Sequence, residues 1–244
     1  MQRVVITGIG IVSPVGIGRD QFWSNLTSGR SGIGTITLFD ASSFPIRIGG
    51  EVKDFDIESV VNKFPNSRSI RDRKVFLALA AADEALADAN MANSILESAL
   101  LHIGVGLEVF WLDDLTPYAH ASDVGLAMVK SLVRKMGDRL LQTPLDCTSN
   151  ILGDIYGFSA GKYTNCSACA AGAQVIGQAL EMLRQGHAKV ALAGATDSML
   201  NPLGLGGFSL LRVLSDENEK PQSACRPFDA TRKGTVLGEG AAFV

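Results

Sequence analysis

Strand-like apolar stretches alternate along this chain with stretches of helical period, and that alternation predicts the fold. Residues 3–9 read as a buried first strand, and residues 20–27 as a helix. A Gly- and Ser-rich turn at 28–34 and an irregular stretch holding Phe39, Phe44, Pro45 and Phe55 follow. Residues 72–90 read as a helix whose segment 75–82 is apolar nearly all round, which predicts burial. Further strands are expected at 102–108, 163–167 and 189–196, with one beginning at 241. Helices are expected at 122–136 and 170–184. Strands alternating with helices predict an α/β fold, with a mostly parallel mixed sheet covered on both faces.

Composition narrows the class. A chain of 244 residues that is 46% hydrophobic and 19% charged can bury a large core, as one large or two small domains. The net charge of -3 argues against a nucleic-acid binder, which needs a basic stripe. Four cysteines at irregular spacing make no disulfide framework, so a reducing, cytoplasmic setting is expected. No apolar run approaches the roughly 18 residues that a membrane span needs. The apolar N-terminus superficially resembles a signal peptide, but Thr7, Gly8 and Gly10 interrupt it, and the sequons at Asn25 and Asn165 then carry no consequence. Residues 234–244 rise into an apolar strand and stop, which suggests an incomplete chain or one piece of a larger assembly.

Cys169 carries the chemistry. It lies where a short strand runs into a helix, and the first-turn N–H groups of that helix have no intrahelical partner. Those donors and the helix dipole favour a thiolate over a thiol that titrates near ~8.5 when free. Small neighbours (Ala168, Ala170, Ala171, Gly172, Ala173) leave room for a carbonyl, and a backbone N–H there can serve as an oxyanion donor. Two alternatives stand beside this one. A free cysteine is most often a small buried hydrophobe. Cys166 and Cys169 also form a C-x-x-C that suits a thiol-disulfide oxidoreductase. Zinc is disfavoured, because Cys147 and Cys225 are isolated and have no histidine nearby.

Other motifs are weaker. Gly8, Gly10 and Ser13 resemble a dinucleotide-binding turn, but the third glycine is lacking and Asp40 comes too late to hold a ribose. No P-loop pattern occurs. His102, His120 and His187 read as structural or solvated rather than as a partner for Cys169, and Asp113 and Asp114 as a solvated pair.

The stretch from Ser167 onward resembles the beta-ketoacyl-acyl carrier protein synthases, condensing enzymes of the thiolase superfamily, most nearly the synthase II type. The matching runs are residues 3–10 with 13–16, Phe22 and Trp23 with the glycines that follow, 78–86, 167–170 (SACA), 193–195, 202–208 (PLGLGGF), 226–229 and 232–241. The resemblance implies a thiolase-like layered α/β fold with a buried nucleophile helix. It also implies Cys169 as the acyl-accepting nucleophile, and Gly207 and Phe208 in a loop that shapes its pocket.

It further implies a homodimer, an acyl carrier protein as donor of acyl and malonyl thioesters, and no metal or cofactor. Family members are longer. Residues 1–244 correspond to their N-terminal domain, and the two catalytic histidines, a lysine and a Gly-Phe-Gly loop belong to a second half not found in this sequence. On that basis the chain is expected to be acylated but to need that half for condensation. A noncatalytic subunit keeping the fold is the other reading. Arg68, Arg71, Arg73, Lys74, Arg134, Lys135 and Arg212 are candidates to dock an acidic carrier protein.

Overall fold

A computed structural model describes residues 2–91, 93–107 and 144–244. In chain order its elements are β1 (Gly10–Ser13), β2 (Gly16–Ile17), α1 (Arg19–Thr27), β3 (Ile33–Thr35), β4 (Ile48–Gly50), α2 (Ile57–Lys63), α3 (Arg73–Asp88), α4 (Asn93–Leu96), β5 (Leu100–Val105), α5 (Cys147–Tyr156), β6 (Gly161–Asn165), α6 (Ala171–Arg184), β7 (Ala191–Ser198), α7 (Pro202–Leu210) and β8 (Glu239–Phe243). The main described sheet has the order β2-β1-β8-β7-β5-β6, and β3 pairs with β4 apart from it.

The sheet is parallel in one half only. β5 runs parallel to β6 and β7, whereas β8 is antiparallel to both β7 and β1, and β2 is antiparallel to β1. The sheet is mixed, as expected, with its antiparallel pairings as prominent as its parallel ones. The crossovers through α5 and α6 enforce the parallel half, while β8 enters from a long irregular segment and is free to run the other way.

Helix α3 forms the centre of the core. Asp72 caps it by accepting from the Lys74 N–H, and Val75, Leu77, Ala78, Leu79, Ala81 and Ala82 have no exposure. It is apolar nearly all round because it packs on β1, β7 and β8 with one side and meets α2 and α5 with the other. The opposite sheet face is covered by α6, on β5 and β7. Only Ala171, Val175 and Ala179 of α6 are buried, so the expected buried nucleophile helix is covered on one side alone among the described residues.

The first strand is also displaced from its expected place. Residues 3–9 pair with no described strand, and Val5 and Ile6 are 59% and 65% exposed. Strand pairing begins at Gly10. In place of a ladder, the Ile9 and Ile11 N–H groups donate to the Asp88 and Glu84 carboxylates of α3. Gly8 and Gly10 explain the close approach. A Cβ at either would overlap the carbonyl oxygen of Ala85 or Ala81, so these glycines serve helix-on-strand packing rather than a phosphate turn.

The remaining expected elements match to within a few residues, except that the helix expected at 122–136 lies outside the described residues. Helices α2, α4, α5 and α7 were not expected. The run 202–208, expected as a loop, is helical. Asn201 caps it by accepting from the Gly204 N–H, and Pro202 at the first position needs no hydrogen bond.

Candidate active site

Two glycine contacts bring the turn that carries Cys169 onto the sheet. A Cβ on Gly104 would lie 2.8 Å from the Ala171 carbonyl carbon, so only glycine lets the start of α6 sit this low on β5. A Cβ on Gly172 would meet that of Ala195 at 3.2 Å. Cys169 thereby falls beside the ends of β5 and β7.

The turn has its own geometry. Residues 168–170 form one 3-10 turn ahead of α6, and the helix has no side-chain cap. Ser167 has φ −104° and Ala168 has φ 51°, a left-handed conformation that costs an L-residue roughly 1–2 kcal/mol. Going from negative to positive φ at successive residues turns neighbouring N–H groups toward one side, which suits a developing anion. Among the described residues the Cys169 amide has no acceptor. Side chains fix the turn: the Ser167 hydroxyl lies 2.6 Å from Asn165 Oδ1 and 2.7 Å from Gln174 Oε1, tying the end of β6 to the first turns of α6.

Cys169 is exposed and lines a pocket of about 570 Å³. The walls come from β1 (Ile11, Val12, Ser13), from Phe22, from the end of β5 through Leu107, from β7 with Asp197 and Met199, from Phe208, and from β8 (Gly240, Ala241, Ala242). Among the described residues the surface is apolar apart from Cys169, Asp197 and the hydroxyls of Ser13 and Thr196. It therefore suits an oily chain delivered to a thiol.

Each residue singled out in the sequence has a definite place. Phe208 joins Cys169 at the pocket. Gly207 does not: it is exposed on α7, and a Cβ there would meet nothing within 4 Å. Cys166 is exposed just past β6, its thiol 3.1 Å from the Gly106 carbonyl oxygen. Cys147 is half-buried, and burial together with the nearby Asp72 carboxylate pushes its thiol up to about 11, which makes it inert.

His102 is buried on β5, 4.5 Å from the Tyr163 ring in a stacked arrangement, and is remote in role from a catalytic base. His187 is exposed beyond α6 and lies 3.1 Å from Gln185 Oε1. His120, Asp113 and Asp114 lie outside the described residues. Of the basic candidates, Lys74 is buried against Asp72 at 2.9 Å and Arg73 is bound to Glu239, so neither is available to a partner. Arg68, Arg71 and Arg212 are exposed, and Arg134 and Lys135 lie outside the described residues.

Sequence reading missed the contributions of β1, β8 and Asp197. Nothing in their local patterns marks them, since they reach the pocket only through sheet order.

Known proteins resemble this chain in sequence and fold. The chain is 37% identical over 252 residues to a putative mitochondrial 3-oxoacyl-[acyl-carrier-protein] synthase of Schizosaccharomyces pombe, covering 99% of this chain and 57% of that one. It is 32% identical over 255 residues to 3-oxoacyl-[acyl-carrier-protein] synthase 2 of Synechocystis, covering 100% and 57%. The chain thus spans a little over half the length of these curated relatives. Among solved structures, a beta-ketoacyl synthase from Burkholderia phymatum superposes with a TM-score of 0.76 at 27% identity, covering 100% of this chain and 58% of that one. The family model for the N-terminal domain of beta-ketoacyl synthase matches residues 1–244, and the chain belongs to that family, with its thiolase-like fold.

Proposed function

We propose that this protein is a beta-ketoacyl-acyl carrier protein synthase, in which the Cys169 thiolate attacks an acyl thioester. The carrier's thiol leaves and an acyl-enzyme forms. A malonyl thioester then loses CO2, and the resulting carbanion attacks the acyl carbonyl and releases Cys169. Covalent catalysis divides one difficult step into two easier ones. The observation that carries this reading is an exposed thiol on a left-handed turn at the wall of an apolar pocket, with its own amide left without an acceptor among the described residues and so suited to an oxyanion.

An acyl carrier protein as donor belongs to the same proposal. It is supported by a related structure, described as a type II PKS acyl-carrier protein in complex with its ketosynthase, with a TM-score of 0.70 at 27% identity. A homodimer is part of it too, supported by β6, which ends the described sheet with one edge unpaired and Tyr163 42% exposed. A cytoplasmic site of action rests on the cysteine pattern of the sequence; no described helix is long and apolar enough to cross a membrane.

The test is acyl transfer from an acyl thioester, read by intact mass and peptide mapping. The expected result is one acyl group on Cys169, retained in Cys166→Ser and lost in Cys169→Ala. Acylation that survives Cys169→Ala, or that requires Cys166, rejects the assignment.

A further inference from the structure

Among the described residues the pocket contains one carboxyl group, in a lining that is otherwise apolar but for Cys169 and two hydroxyls. Asp197 stands at the end of β7, between Thr196 and Met199, and shares the pocket with Cys169 and Phe208. The other oxygen-bearing side chains there are already engaged. The Thr196 hydroxyl donates to the Lys74 carbonyl at 2.7 Å, and the Ser13 hydroxyl closes its own turn by donating to Gly16 O and accepting from the Val15 and Gly16 amides. Asp197 is only half engaged. Its Oδ1 accepts from the Ser198 N–H at 2.8 Å, while Oδ2 occupies the space that a side chain on Gly106 would fill. Among the described residues, nothing donates to Oδ2.

We propose that Asp197 sets the acyl preference of this site, favouring chains that carry a hydroxyl group over saturated chains of the same length. This rests on the reading that Cys169 is acylated. A methylene chain packed against Oδ2 removes water from the carboxyl and gives nothing in return, which is costly for a group of this polarity. A hydroxyl restores the lost hydrogen bond in either protonation state, since it donates to a carboxylate and accepts from a carboxylic acid. Burial raises the tendency of this carboxyl to hold its proton, in keeping with a group set in an apolar wall. A site with a polar group aimed at the substrate rejects the analogue that leaves that group unpaired.

The experiment compares rates of Cys169 acylation by N-acetylcysteamine thioesters of octanoate and of its hydroxy-substituted positional isomers. It uses the unmodified protein, Asp197→Asn and Asp197→Leu. For at least one isomer the unmodified protein is expected to prefer the hydroxylated chain about tenfold, as one retained hydrogen bond implies. Asp197→Asn keeps the preference, because an amide both donates and accepts, and it shows that the fold tolerates change here. Asp197→Leu reverses it. No preference in the unmodified protein, or the same ratio in Asp197→Leu, overturns the proposal. Failure of every thioester to acylate Cys169 instead rejects the reading beneath it.

Discussion

The Arg73 guanidinium, at the start of α3, binds the buried carboxylate of Glu239, at the start of β8, with Nε 3.0 and 2.9 Å from its two oxygens. The carboxylate also accepts from the Val52 N–H and the Ser198 hydroxyl, and Arg73 donates onward to the Val52 carbonyl. One pair thus joins α3, β7, β8 and the segment after β4. Removing a single partner strands a buried charge. Arg73→Met or Glu239→Leu alone is expected to lower stability by about 3–5 kcal/mol, and the double variant to recover much of that loss. Urea unfolding of the four proteins checks this, and additive losses would mean that the pair is not coupled.

Gly104→Ala is expected to push the start of α6 off the sheet, because the new methyl would lie 2.8 Å from the Ala171 carbonyl carbon and 3.0 Å from both its oxygen and the Gly172 nitrogen. Backbone cannot yield as a side-chain tip can, so a loss of about 1–3 kcal/mol is expected, along with slower acylation of Cys169. Gly207→Ala is the control. Its Cβ would meet open space on α7, and alanine is expected to stabilise that helix by about 0.5–1 kcal/mol. Melting temperatures with acylation rates for both variants test the contrast.

His102 is 1% exposed, and neither ring nitrogen has a partner among the described residues. Burial lowers its affinity for a proton below the ordinary 6.5. The unfolded chain therefore takes up a proton that the folded protein resists. Stability is fully present above about pH 6.5 and falls as the pH drops below it, with a slope of up to about 1.4 kcal/mol per pH unit. His102→Phe keeps a ring against Tyr163 and removes both unpaired nitrogens. It is expected to stabilise by about 1 kcal/mol and to flatten the pH dependence between roughly pH 6.5 and 5. Denaturant midpoints across that range decide, and an unchanged slope would assign the effect to other groups.

Much of this protein is legible in the linear chain wherever a local rule applies. The all-apolar helical run over 75–82 announced a helix with no free face, and Cys169 among small residues announced a thiol at the head of a helix. Other positions depend on partners distant in sequence. Gly8 and Gly10 imitate a phosphate turn until α3 is seen lying against them. Lys74 reads as a surface cation until Asp72 and the core enclose it. Residues 202–208 read as a loop because three glycines hide a helix that Asn201 and Pro202 start.

By itself, then, the sequence determined the thiol, the helix behind it and the α/β class, since these follow from periodicity and from neighbours a few residues apart. Only the tertiary structure decided the antiparallel half of the sheet, and that Asp197, Ile11 and Ala242 share a pocket with Cys169. Strand order is set by which faces can be buried together, and hydrophobic spacing along one segment carries no record of its partner in the sheet.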